Sequence, residues 1–190
     1  MICLKFKLGD IMKKYVLLII IISVLIGCYD SVTPVRLQDD EIISWEKGAP
    51  VIKFYHGQKG VQNIYEDTLS TKEKTVYYVA STKQHIEMAG EDFMRDFVRR
   101  RIAKKIKSVS IRMREEEIDE RLYKGNKEHL REVRYAPEDI YIPDTVMLYS
   151  NKVAIVSTAK ENFGFIIESP ELYQTLLGFF QALWRISTRK

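Results

Sequence analysis

The chain has 190 residues, 46% of them hydrophobic and 29% charged, with 5 Pro and 9 Gly. Those proportions exclude a disordered, collagen-like or multi-domain protein and leave room for a single core. The formal charge of +4 comes from 30 Lys and Arg against 26 Asp and Glu. Setting aside the four bases and one acid of residues 1–27 leaves 26 against 25, a net of +1, so the remainder lacks the basic excess of a nucleic-acid binder.

Lys13 and Lys14 precede an apolar run from Tyr15 to Cys28, YVLLIIIISVLIGC. A membrane-spanning helix needs about 20 apolar residues to cross about 30 Å of hydrocarbon, and this run is shorter. A positive n-region followed by a short apolar h-region is the secretory-signal pattern. The end of the run, Leu25-Ile26-Gly27-Cys28, resembles the bacterial lipobox at all four positions. That resemblance implies a diacylglyceryl group on the Cys28 thiol, cleavage just before it, and often a further acyl group on the new amino terminus. Two or three chains, at about 0.8 kcal/mol per buried methylene, anchor stably where one gives marginal binding. The other reading is an uncleaved signal anchor in which Cys28 is an ordinary buried thiol. Both tie the domain to a membrane, whether the cell membrane or the outer membrane. With Lys13 and Lys14 held on the cytoplasmic side, both also place the C-terminal part outside the cytoplasm. Met12 reads as a better start than Met1, because the preceding MICLKFKLGDI has no role in either reading.

Cys3 and Cys28 are the only thiols of the chain, so the exported part has none. This excludes a Cys nucleophile, a CxxC redox pair and a thiolate zinc site. About 163 exported residues bury roughly 70% of their unfolded surface, enough to dispense with a disulfide.

Three regions are therefore expected: a signal peptide over 1–27, a lipidated tether over 28–50, and an α/β domain over 51–190. In the tether the pattern around Ile42, Ile43 and Trp45 predicts a helical turn. Val51 to Tyr55 predicts a strand ended by Gly57. Val61, Ile64, Tyr65, Thr68 and Leu69 fall on one helical face, and the β-branched and aromatic TVYYVA of Thr75 to Ala80 predicts a second strand, completing a β-α-β unit. A helix is expected from Glu91 to Ile106, with Phe93, Met94, Phe97, Val98, Ile102 and Ile106 inward, acids at its start and bases at its end. Val109, Ile111 and Met113 alternate with Ser110, Arg112 and Arg114, the pattern of a strand with one wet face. A charged surface helix over Glu115 to Leu130 and a short strand over Glu132 to Tyr135 follow. The rest predicts a three-strand meander (Val146–Tyr149, Lys152–Thr158, Phe163–Glu168) and a closing helix capped by Ser169 with Pro170 at its first position. The fold class is α/β, a three-layer sandwich with a mixed sheet.

The segments VIKFYHGQKGVQNIYEDTL, YSNKVAIVST and FGFIIESPELYQTLLGFFQALW, within Val51 to Trp184, together resemble the effector domain of TrmB-like transcriptional regulators, which has a phospholipase-D-like fold. Two departures qualify what the resemblance implies. Those regulators carry an N-terminal helix-turn-helix, and here that place holds a lipoprotein leader and a tether, so no nucleic-acid partner is expected. Phospholipase-D-type enzymes use an HxKxxxxD motif, in which His attacks phosphorus and Lys neutralises the phosphate. No such string occurs: His56 is followed at the Lys position by Gln58, His85 by Glu87 and His129 by Arg131, and the hairpin VMLYSNKVAIV has no His.

The bland alternatives cover most other features. The three His show no HxxxH or HxH spacing, so no metal site is expected, and no cofactor signature is present. The basic cluster Arg99-Arg100-Arg101 with Lys104, Lys105 and Lys107 reads as a solvated helix face offset by Glu115-Glu116-Glu117. Ser157 and Ser169 lack a GxSxG context, and Phe179, Phe180 and Trp184 have core spacing. The expectation is a membrane-anchored, non-catalytic domain that binds a small molecule or an envelope protein in a cleft above the strand ends. Ser81, Thr82, Arg112 and Tyr149 are the candidate contacts. The alternatives are a degenerate phospholipase-D-like phosphodiesterase and a TrmB-like effector domain without its DNA-binding part.

Overall fold

A computed structural model describes residues 42–43, 50–80, 82–114, 127–157 and 160–189. Eight strands form one mixed sheet: β1 (Ile42–Ile43), β2 (Val51–His56), β3 (Thr75–Ala80), β4 (Lys107–Arg112), β5 (Arg131–Tyr135), β6 (Thr145–Tyr149), β7 (Lys152–Val156) and β8 (Phe163–Glu168). Their spatial order is β1-β2-β8-β7-β6-β3-β4-β5. The pairs from β1 to β3 are antiparallel, whereas β3, β4 and β5 run parallel.

Among the described residues four helices cover this sheet: α1 (Gly57–Thr68), α2 (Thr82–Ala89), α3 (Glu91–Ala103) and α4 (Pro170–Ile186). On one face Val61, Ile64 and Tyr65 of α1, Met88 and Ala89 of α2, and Met94, Phe97 and Val98 of α3 pack on Val76, Tyr78, Met147, Ala154 and Ile166. On the other face Phe180, Leu176 and Trp184 of α4 pack on Tyr77, Val79, Ile111, Leu148 and Val153. Each strand residue serves the face its parity dictates. The result is the expected three-layer α/β architecture.

The β2-α1-β3 unit forms, but β8, β7 and β6 lie between its two strands. The meander β6-β7-β8 fills that gap. Its first turn places Ser150 at φ 44° and Asn151 at φ 60°, the paired left-handed conformation that matches the twist of a two-residue hairpin. Gly164 is required by packing: a Cβ there would come within 2.5 Å of Ile64 Cδ1 and 2.9 Å of the Ile155 carbonyl oxygen. The missing side chain lets α1 sit down on β8. At the closing helix, Ser169 Oγ accepts from Leu172 N at 3.3 Å and Pro170 takes the first position, as the sequence predicts.

Several expectations change. Ile42 and Ile43 form an edge strand paired with Lys53 and Ile52 instead of a helical turn, because backbone groups along β2 offer a ladder there. Thr82–Ala89 is a helix that the sequence pattern does not announce. The Glu91 helix ends at Ala103, and Lys105 then takes φ 57° so that Ile106 can turn back into the core. Residues 127–130 are turn, and 115–126 of the expected charged helix lie outside the described residues, as do the leader, Cys28 and Trp45. Phe179 is 67% exposed, so only Phe180 and Trp184 of that aromatic group reach the core. No described helix is long and apolar enough to cross a membrane.

Two glycines separate packing from conformational entropy. Gly164→Ala is expected to lower stability by about 1–3 kcal/mol, because backbone on β7 cannot retreat from the new methyl. Gly178 in α4 meets nothing within 4 Å. Gly178→Ala is therefore expected to raise stability by about 0.5–1 kcal/mol. Denaturant melts of the two variants check the opposite signs.

Candidate functional site

The alternation on β4 conceals a buried polar face. Ser108, Ser110 and Arg112 share one side of the strand, and all three are buried, contrary to the expected wet face. The cause is topological. Parallel neighbours cover both edges of β4, α3 lies over one face and α4 serves the other, so even the polar side is largely buried. In register, Ser108 lies between Val76 and Arg131, Ser110 between Tyr78 and Val133, and Arg112 between Ala80 and Tyr135.

Over this row stands Arg101, from the last turn of α3. It is 1% exposed, which corrects its assignment to a solvated basic face. Its helical neighbours behave otherwise: Arg99 is exposed, and Arg100 forks onto Glu66 (2.7 and 2.6 Å) while reaching Asp96 at 2.6 Å. Among the described residues the Arg101 guanidinium donates only to backbone carbonyls, to Ile106 at 2.5 Å, Leu130 at 3.4 Å and His129 at 2.7 Å. Its Nε has no hydrogen-bond partner among the described residues. Burial pushes its pKa below the ordinary arginine value, though a guanidinium stays charged at neutral pH.

Between α3 and the β3-β4-β5 floor lies a cavity of about 50 Å³. Arg101, Arg112, Arg131, Tyr78, Ser108 and Ser110 supply its polar wall, and Phe97, Val98, Met94 and Ile86 its apolar wall. The two serine hydroxyls bond each other at 3.2 Å. The Tyr78 hydroxyl is buried without a hydrogen-bond partner among the described residues. Thr68 lies on its side, but the Thr68 hydroxyl donates to the Tyr65 carbonyl at 2.7 Å. Burial pushes the Tyr78 pKa up, opposed by the positive Arg101, the neighbouring Thr68 hydroxyl and the positive Arg131, so the phenol stays protonated and able to donate. No carboxylate belongs to the described lining.

The four predicted contacts do not converge. Arg112 lines this cavity. Thr82 opens α2 just past the end of β3, and Ser81 lies outside the described residues. Tyr149 sits at the opposite end of the sheet, because β6 runs antiparallel to β3 and its last residue comes beside the start of that strand. There its hydroxyl donates to Asp67 at 2.8 Å, and Lys152 closes on Asp67 at 2.9 Å. Burial and then the Asp67 charge push the Tyr149 pKa far above its usual value, which makes it a structural clamp. Tyr78, Arg101 and Arg131 were missed. Their signal is faint: a tyrosine and an arginine on faces otherwise apolar, and an arginine at the start of an edge strand.

Other candidates are engaged elsewhere. Ser157 donates to the Phe163 carbonyl at 2.8 Å and accepts from Phe163 N at 3.0 Å, holding the β7–β8 connection. His56 is exposed at the end of β2, and no group of metal-ligating residues occurs among the described residues.

The strand order and the cover of helices define a phospholipase-D-like fold. Three solved structures show the likeness. NucT from Helicobacter pylori superposes with a TM-score of 0.56 at 12% identity, over 75% of this chain and 100% of that one. Nuc from Salmonella typhimurium, a phospholipase D family member, gives 0.52 at 12% identity, over 73% and 97%. TrmBL2, an archaeal chromatin protein whose structure shows a novel mode of DNA binding, gives 0.50 at 12% identity over 96% of this chain, which spans only 65% of the length of TrmBL2. At this identity the likeness carries the fold alone. No protein-family model and no curated protein matches the chain.

Hydrogen-bonded carboxylates around the domain set its acid limit. Hydrogen bonds from Arg100, Ser150, Lys107 and Lys53 hold Glu66, Glu73, Glu132 and Glu168, respectively, below the usual carboxylate pKa of 4.5. A depressed folded-state pKa means stabilisation that is present above about pH 4.5 and lost as pH falls through the folded values. Each pair is partly solvated and worth no more than about 0.5–1 kcal/mol. The melting temperature is expected to be level from pH 7 to 5 and to decline progressively below 4.5, which thermal melts across that range check.

Proposed function

We propose that this protein is a lipid-anchored, non-catalytic phospholipase-D-like module that binds a small ligand outside the cytoplasm. In this reading acylated Cys28 holds it to the membrane, the residues between Cys28 and β1 tether it, and the ligand enters the arginine-lined cavity. The observation that carries the reading is Arg101: a buried guanidinium with only neutral carbonyl partners among the described residues, facing a cavity lined by two further guanidiniums. A buried charge is costly unless something compensates it. A binding function supplies a reason for keeping one there.

The phosphodiesterase alternative draws support only from the shared fold. It lacks the histidine nucleophile that an HxKxxxxD string would supply, and none exists in the sequence. The regulator alternative draws on the likeness to TrmBL2. Against it stands the near-neutral charge beyond residue 27.

Metabolic labelling with an alkyne fatty acid tests the anchor. The wild-type protein is expected to be labelled and membrane-bound and Cys28→Ala unlabelled; an unlabelled wild type or equal labelling of both contradicts the anchor. The detergent-solubilised full chain is expected to leave bis(p-nitrophenyl) phosphate intact, and hydrolysis abolished by His56→Ala would favour the enzyme instead.

A further inference from the structure

We propose that the cavity under α3 is a binding site for a small tetrahedral oxyanion, of which inorganic phosphate is the simplest, gripped chiefly by Arg101 and Tyr78. This inference rests on the reading of the domain as a ligand binder and names the chemistry of its ligand.

Charge gives the first argument. Arg101 brings a buried guanidinium, whose described partners are all neutral carbonyls, to the edge of one small space, and no carboxylate belongs to the described lining of that space. A cation is therefore repelled, and a neutral ligand leaves the Arg101 charge uncompensated. An anion offsets it, in surroundings where the apolar wall of Phe97, Val98 and Met94 strengthens the attraction.

Donor geometry gives the second. Among the described residues, Arg101 uses its two Nη atoms on carbonyls and keeps Nε unpartnered, while the buried hydroxyl of Tyr78 is also unpartnered. Both are donors at neutral pH. An acceptor-only oxyanion satisfies both at once, and charge-assisted bonds of this kind are about twice as strong as neutral ones. Ser108 and Ser110 add hydroxyls that can turn from each other toward a third oxygen.

Size gives the third. A water needs about 10–15 Å³, so a cavity of about 50 Å³ holds roughly four waters or one phosphate-sized group. A nucleotide or a sugar ring does not fit. The same group can reach the cavity as a free ion or at the end of a phosphomonoester, including a membrane headgroup.

The test uses the full chain in neutral detergent, melted at constant ionic strength with increasing phosphate, sulfate or chloride. Phosphate and sulfate are expected to raise the melting temperature saturably and chloride not at all. Tyr78→Phe removes an unpartnered hydroxyl, so it is expected to leave the anion-free melting temperature unchanged or higher while weakening phosphate binding about tenfold. Arg101→Lys keeps the charge but not the fork and is expected to bind still more weakly; should it fail to fold, Tyr78→Phe and Ser110→Ala carry the test. Phosphatidic acid vesicles form a separate arm: stabilisation by vesicles without response to free phosphate assigns the oxyanion to a headgroup.

Absence of both responses, or identical responses in wild type and Tyr78→Phe, overturns the inference. So does a phosphate response confined to Glu115→Gln/Glu116→Gln/Glu117→Gln, which makes the chain's own carboxylates the anion. Ethylene glycol, smaller than phosphate, is the neutral probe. A Tyr78-dependent ethylene glycol response with none to phosphate overturns the oxyanion and leaves the ligand-binding reading standing, whereas indifference to every probe removes both.

Discussion

A charged group enclosed by protein must be compensated, and in this domain that requirement falls on Arg101. Its guanidinium lies between α3 and a three-strand parallel floor, and it gathers the Ile106, Leu130 and His129 carbonyls, which close the approaches to β4 and β5. The arginine thus fixes the ends of two strands whose facing residues are themselves polar.

The two faces of the sheet divide the work. The α1-α2-α3 side holds the arginine-lined cavity and the denser packing, including the Tyr65–Phe97 edge contact at 5.2 Å and the Glu66–Arg100 fork that fastens α1 to α3. The α4 side carries a broader apolar contact in which only Phe180 of the helix is fully buried. There Arg134 stacks over Trp184 at 4.4 Å and bonds its carbonyl at 2.7 Å, pinning the C-terminal end of α4 to the edge strand. The far end of the sheet is closed by the Tyr149–Asp67–Lys152 clamp. Polar chemistry left over from these structural tasks is concentrated at one place.

Much of the fold was legible because its elements obey simple periods. Val61, Ile64, Tyr65 and Thr68 mark α1, and the Ser150-Asn151 turn and the Ser169-Pro170 start were readable from residue type alone. The strand order was not, since nothing local in TVYYVA reveals that three later strands separate it from β2. The site was misread for the same reason. Alternation on β4 means one polar face, but whether that face meets water depends on a helix from elsewhere in the chain. Arg101 was hidden inside a run of three arginines whose other members lie nearer the surface, and Tyr149 was placed at the wrong end because its direction follows from antiparallel pairing.

Crystals grown in selenate give the most direct test, since an anomalous difference map locates an oxyanion without assuming its partners. The account predicts a peak inside the cavity, within hydrogen-bond distance of Arg101 Nε and the Tyr78 hydroxyl. A map with selenate elsewhere, and with a carboxylate of the chain itself or ordered water filling that space, would contradict it.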